Sequence, residues 1–156
     1  APSTALAETA PPVIAEPVDT GFLRTLVGYN TRRAALSIIE LFMQRMAVYE
    51  LKVVDFSVLS LVAHNPGITS RQLCATLNVL PPNLVGLIAT LERRGLIERR
   101  PHPSDGRAMG VHLTAAGAAL TAQAEQTAAQ LEVDATARLT TTERKTLIRL
   151  LQKVYD

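Results

Sequence analysis

The sequence predicts a mainly α-helical protein with one small β-hairpin. Hydrophobic residues make up 47% of the 156 residues and aromatic residues only 4%, a balance typical of helices packed with leucine, alanine and valine. Apolar side chains recur at helical three-and-four spacing along most of the chain. One region differs: two short alternating runs, at 96–100 and 109–113, flank a loop with two prolines and a glycine, which predicts the hairpin.

The length and composition limit the class of protein. A chain of this length forms one domain with a hydrophobic core rather than two independent domains. The single cysteine, Cys74, excludes an intramolecular disulfide framework, and one cysteine with three scattered histidines supplies no zinc site. No stretch has the pattern of a signal peptide or a membrane span, so we expect a cytoplasmic protein without metal or cofactor.

The N-terminal part is expected to be a flexible tail followed by one long helix. Residues 1–17 contain four prolines and cannot bury enough apolar surface to repay ordering. A helix is predicted from about Val18 to Tyr49. Its two apolar stripes comprise Leu23, Leu26, Val27, Ala34, Ile38 and Leu41, and Ala35, Ile39, Phe42, Met46 and Tyr49. Two apolar faces need two partners, which are its own domain and a second subunit unless one monomer buries both.

Three shorter helices are predicted in the middle of the chain. Asp55 suits the N-cap of the first, and Thr69 or Ser70 suits the N-cap of the second. The third begins at a proline pair starting at Pro81, where the missing N–H groups are tolerated, and Gly95 ends it.

Two further helices are predicted beyond the hairpin. Thr114 starts a long alanine-rich helix to about Arg138, in which small residues permit a close helix crossing. Thr140 and Glu143 have the spacing of a capping box for the last helix, which is apolar on one face.

The hairpin and its approach are strongly cationic. Residues 93–107 contain five arginines but only two acidic residues, Glu98 and Asp105. The arginines are Arg93, Arg94, Arg99, Arg100 and Arg107. Such a projection suits a phosphate-lined groove, and an arginine on a slim hairpin can enter a narrowed minor groove. We expect the carboxylate of Asp105 to brace the guanidinium of Arg107 by a bidentate contact.

The middle of the chain matches the helix-turn-helix plan, in which the second of two short helices lies in the major groove. Together with the hairpin it resembles the winged helix-turn-helix of the MarR (multiple antibiotic resistance regulator) family of bacterial transcription factors. The stretches that carry the resemblance are LERRGLI at 91–97, RRPHPSDGRA at 99–108 and LTAAG at 113–117. Gly106 departs from the family, which often has a second arginine there, and this implies one fewer phosphate contact.

The resemblance implies an architecture and a function. It implies a winged helix-turn-helix DNA-binding domain at 51–114, between an N-terminal dimerisation helix at 18–50 and C-terminal dimerisation helices at 115–156. The protein is then expected to be a homodimeric repressor that binds a pseudo-palindromic double-stranded operator, with half-sites about one helical turn apart. Many members bind small aromatic carboxylates, so relief by a small aromatic effector, a carboxylate or a thioester, is also implied.

The expected DNA contacts lie on both short helices and on the hairpin. Asn83 is placed to read adenine and Pro82 to contact thymine methyl groups, although a plain helix-start role for Asn83 stays open. Gly86 replaces a polar or basic side chain that the family often has, so direct readout is expected to be sparse and groove shape to contribute. The full set is Ser70, Arg71, Gln72, Pro82, Asn83, Thr90, Arg93, Arg99, Asp105 and Arg107.

The expected effector contacts lie on the first two helices. Asn30, Arg33 and Ser37 recur at three-and-four spacing, and Arg33 can pair with a carboxylate. The residues expected to enclose an aromatic ring are Phe42, Met46 and Phe56. A surface or intersubunit ion pair is an equally open role for Arg33.

Other function classes are less well supported. The chain has no glycine-rich phosphate loop, nucleophile elbow or His-x-x-x-His pair, so we do not expect an enzyme. Two alternatives stay open: a winged-helix protein-interaction module without DNA binding, and a redox-switched regulator that uses Cys74. The position of Cys74 between Leu73 and Leu77 instead favours a small buried core residue.

Overall fold

The structure is a computed structural model that describes residues 16–156, so nearly all of the predicted tail lies outside the described residues. The described part confirms a mainly helical fold with a small sheet. It forms two compact units, one that ends at Arg33 and one that spans Ala34–Asp156. The elements are α1 (Val27–Met46), α2 (Val53–His64), β1 (Ile68–Thr69), α3 (Ser70–Leu77), α4 (Pro81–Arg93), β2 (Ile97–Pro101), β3 (Met109–Leu113), α5 (Ala115–Ala135) and α6 (Thr141–Tyr155).

The first long helix is shorter than predicted. The expected helix from about Val18 to Tyr49 is instead a 3-10 turn at Leu23–Thr25, then α1, then a second 3-10 turn at Ala47–Tyr49. Leu26 has an extended backbone (φ −92°, ψ 128°), which interrupts helical bonding before α1 begins. Apolar spacing could not show this, because 3-10 and α turns both place residues three apart on one face.

The caps of α2 and α3 show how local side chains start each helix. Asp55 is not the N-cap of α2; the N-cap is Lys52, whose backbone N–H donates to Asp55 Oδ2 at 2.9 Å. Thr69 is the N-cap of α3, and its hydroxyl accepts from the N–H of Gln72 at 3.2 Å. In return, Gln72 Oε1 accepts from the N–H of Thr69 at 3.0 Å, so both backbone N–H groups of the capping box have a hydrogen-bond partner.

The predicted capping box of the last helix is confirmed. The hydroxyl of Thr140 accepts from the N–H of Glu143 at 3.1 Å, and the N–H of Thr140 donates to Glu143 Oε1 at 2.9 Å. That backbone hydrogen bond holds the pKa of the Glu143 carboxyl below its usual value, because it favours the charged form.

The sheet has three antiparallel strands in the order β1-β3-β2. The predicted hairpin is β2 and β3, which we call the wing together with its loop, 102–108. Strand β1 escaped prediction because two residues carry no recognisable alternation; it pairs Ile68 with Val111 and Thr69 with Gly110. A Cβ at Gly110 would lie 2.9 Å from the carbonyl oxygen of Gly67, so only glycine allows this close pairing. The pairing attaches the start of α3 to the wing.

One hydrophobic core joins α1 to α5 and the sheet. Its buried members are Phe42, Met46, Leu51, Val58, Leu59, Val62, Ile68, Leu73, Leu84, Ile88, Leu91, Leu96, Ile97, Val111, Ala124 and Leu131. Cys74 is half-buried and packs against this core. No single helix within residues 16–156 has the length and apolar composition needed to cross a membrane.

Large apolar side chains stay exposed on α1 and α6. On α1 they include Leu36, Ile39 and Met43. On α6 they are Leu147, Ile148, Leu150, Leu151, Val154 and Tyr155, and α6 has no buried residue. Such a quantity of exposed apolar surface marks an interaction site rather than a solvated surface.

Candidate nucleic-acid interface

Five of the predicted DNA contacts line one groove between the start of α3 and the wing. The groove has a volume of about 520 Å³. It is lined by Thr69, Ser70, Arg71, Arg99, Asp105, Arg107, Ala108 and Met109. The pairing of β1 with β3 brings these two segments together, although about thirty residues separate them in sequence.

Two arginines give this groove its available positive charge. Arg71 and Arg107 are both exposed, and no carboxylate in residues 16–156 lies within ion-pair distance of either guanidinium. A guanidinium without an internal partner can donate hydrogen bonds to phosphate or to base edges. The groove can therefore bind a polyanion.

Two other wing arginines are already paired. Arg99 Nε donates to Glu92 Oε2 of α4 at 3.0 Å, and this hydrogen bond holds the pKa of the Glu92 carboxyl below its usual value. Arg100 pairs with Glu98 on the same strand. The predicted DNA contact Arg99 thus connects the wing to α4, and its guanidinium is less available to DNA than that of Arg107.

Asp105 shapes the tip of the wing differently from our expectation. Its Oδ1 accepts from the backbone N–H of Arg107 at 3.1 Å, and its carbonyl oxygen accepts from the N–H of Ala108 at 3.0 Å. The predicted bidentate contact with the Arg107 guanidinium is wrong, because an aspartate side chain two residues before an N–H closes a local turn. The turn orients Arg107 and leaves its guanidinium free.

The exposed face of α4 carries the other predicted contacts. Pro82 and Asn83 are exposed in the first turn. Thr90 donates its hydroxyl hydrogen to the carbonyl of Gly86 at 3.0 Å and accepts from Arg93 Nη2 at 3.2 Å. Of the contacts predicted on α3, Gln72 uses its side-chain oxygen for the helix cap, which leaves only its amide nitrogen for DNA.

Two predicted effector residues lie in the unit that ends at Arg33. The side-chain amide of Asn30 donates to the carbonyl oxygens of Arg24 and Leu26, at 2.9 and 2.8 Å, and so stabilises the start of α1. Arg33 is exposed.

The other predicted effector residues lie in the second unit but not around one cavity. Ser37 lines a cavity of about 520 Å³ beside the segment that joins α5 to α6. Phe42 and Met46 are buried in the core, and the ring of Phe42 packs edge to face on Phe56, with centroids 5.7 Å apart. Phe42 therefore packs against the ring of another residue of the core, Phe56, and not around a cavity for an effector.

A cavity that the sequence did not predict lies between α4 and the end of α1. It has a volume of about 650 Å³. Its lining residues are Met43, Ala47, Glu50, Leu51, Lys52, Asp55, Gly86, Leu87, Thr90 and Arg94. No local pattern could have indicated it, because its two walls are more than thirty residues apart in sequence.

The chain is similar to known transcriptional regulators. A model of the MarR family matches residues 49–108. A putative transcriptional regulatory protein for the hcr operon of Thauera aromatica is 31% identical over 130 residues, which cover 83% of this chain and 78% of that protein. The transcriptional repressor CouR bound to a 23-mer DNA duplex has a TM-score of 0.84 at 34% identity, covering 90% of this chain and 100% of that one. CouR bound to p-coumaroyl-CoA has a TM-score of 0.79 at 33% identity, covering 88% and 97%.

Proposed function

Because this chain belongs to the MarR family of transcriptional regulators, we propose that it is a homodimeric repressor that binds a pseudo-palindromic duplex operator. The observation that carries the proposal is the groove between the start of α3 and the wing, in which Arg71 and Arg107 have no ion-pair partner within residues 16–156. The resemblance to CouR, whose structure is described with a DNA duplex, supports it.

Each element has a defined role in the proposed complex. The N-terminal turn of α4, with Pro82 and Asn83, enters the major groove, and Arg107 at the wing tip enters the adjacent minor groove. Arg71 at the start of α3 contacts the phosphate backbone. The exposed apolar faces of α1 and α6 form the dimer interface, so that two copies of α4 lie about 34 to 36 Å apart on one side of the duplex.

Binding to the DNA that flanks its own gene is expected to weaken steeply with salt. Log affinity should fall linearly with log salt, with a slope of about −0.9 for each phosphate neutralised. Fluorescence-anisotropy titrations at several salt concentrations from about 50 to 200 mM, the range in which affinity falls steeply, measure the slope. A scrambled duplex of equal length is the control. A protein that binds neither duplex would instead be better explained as a protein-interaction module.

We further propose that a small aromatic thioester or carboxylate relieves repression. CouR is described with p-coumaroyl-CoA, and this chain is 33% identical to it. The described cavities of about 650 and 520 Å³ fall within the range of about 300 to 1,000 Å³ that is usual for small-molecule sites.

Such an effector is expected to raise the melting temperature. A ligand at 100 times its dissociation constant adds about 2.7 kcal/mol if it binds only the folded state. Thermal-shift measurements with p-coumarate and p-coumaroyl-CoA test this, with coenzyme A as the control. No shift with either aromatic compound would argue against this effector class.

A further inference from the structure

Arg94, directly after α4, differs from the other arginines of this region because its side chain is bonded to backbone. Its Nη1 donates to the carbonyl oxygen of Glu50 at 2.9 Å, and its Nη2 donates to that of Tyr49 at 2.8 Å. Only 27% of the side chain is exposed. The neighbouring Arg93 is exposed and donates to Thr90 of its own helix. Two consecutive arginines thus have different surroundings.

The segment that accepts these hydrogen bonds is itself bonded to α5. The hydroxyl of Tyr49 forms a hydrogen bond of 2.9 Å with the hydroxyl of Thr127 on α5. Glu50 has a left-handed backbone (φ 53°), which ends the 3-10 turn after α1 and directs the two carbonyl groups. Arg94 and Tyr49 therefore form a hydrogen-bonded connection from the end of α4 to α5.

We propose that Arg94 is a positioning residue that sets the orientation of α4 relative to α5, and through it the operator spacing that the dimer accepts. Apolar packing by Leu84, Ile88 and Leu91 is not directional, whereas two charge-assisted hydrogen bonds are. The inference rests on the proposed function, because spacing has meaning only for a dimer on duplex DNA.

The geometry makes spacing sensitive to small rotations. Helix α4 has 13 residues, and a helix of that length measures about 20 Å. A rotation of about 5° around its C-terminal end therefore moves its N-terminal turn by about 1.7 Å. This displacement is about half of the 3.4 Å rise between base pairs.

Operators with altered spacing test the role of Arg94. Affinity is measured for duplexes whose half-sites are moved apart or together by one and two base pairs. Wild-type protein should prefer one spacing, and Arg94→Ala should reduce the ratio between the best and the neighbouring spacings by about threefold or more, because α4 loses both hydrogen bonds to the segment after α1. Arg94→Lys, which can still donate to the carbonyls, should restore part of the ratio, and the salt slope of Arg94→Ala should stay at the wild-type value.

Arg93→Ala is the matched control. It should weaken binding at every spacing equally and make the salt slope shallower by about 0.9 per contacting protomer. The proposal is overturned if Arg94→Ala keeps the wild-type spacing ratio, or if it changes the salt slope as Arg93→Ala does. Should Arg94→Ala fail to fold, a wild-type ratio in Arg94→Met, whose long side chain has no hydrogen-bond donor, would overturn it equally. Wild-type protein that binds duplexes without any preference for spacing would instead contradict the proposed dimeric operator complex.

Discussion

Replacing Gly117 with alanine is expected to lower the free energy of unfolding by about 3 kcal/mol or more. Gly117 is buried near the start of α5, and a Cβ there would lie 1.9 Å from the carbonyl oxygen of Leu96 and 2.8 Å from its carbonyl carbon. The same oxygen accepts from the N–H of Thr114 at 3.1 Å. Neither backbone segment can move away without breaking this connection between the wing and α5.

Gly86→Ala is the matched control, because it is also a glycine within a helix. A Cβ at Gly86 meets no atom within 4 Å. Alanine there should increase the free energy of unfolding by about 0.5 to 1 kcal/mol, since glycine is the poorer helix former. Urea denaturation of the two variants measures both values. Equal stability of the two variants would contradict the packing of Leu96 on Gly117.

Arg107→Ala is expected to weaken operator binding by about 1 to 3 kcal/mol. The hydrogen bond from the backbone N–H of Arg107 to Asp105 orders the wing tip without using the guanidinium, so the charge is free for the minor groove. Because the alanine variant keeps that backbone hydrogen bond, the loss reports the side chain alone.

Titrations at one fixed salt concentration measure this loss. Arg138→Ala is the control, since it removes one exposed positive charge from the segment between α5 and α6, outside the groove. Its effect on affinity should be much smaller than that of Arg107→Ala. Equal losses in the two variants would show that only net charge matters and would contradict the placement of the wing in a groove.

Local chemistry explains why much of the fold could be predicted. Proline at the start of α4, glycine after its end and the Thr140–Glu143 pair act on the nearest few backbone groups, so their effects depend little on the rest of the chain. The wing could be predicted equally well, because alternating side chains around a turn-forming loop specify a hairpin.

The candidate site was predicted by composition but not by role. The sequence indicated a cluster of five arginines, and the structure shows that their side chains have different partners. Arg107 is free, Arg99 and Arg100 are paired with glutamates, and Arg94 is bonded to the backbone before α2. These differences come from neighbours that are distant in sequence, which no local pattern contains.

The sequence alone therefore determined most of the helices, the N-caps of α3, α5 and α6, the hairpin and the positive charge near it, because each depends on residues within about one or two turns of one another. Only the tertiary structure decided that β1 attaches α3 to the wing, that Phe42 and Met46 belong to the core, and which guanidinium groups stay available. The physical reason is that hydrogen bonds and burial depend on what folding brings together in space, and a side chain's chemistry does not specify its partner.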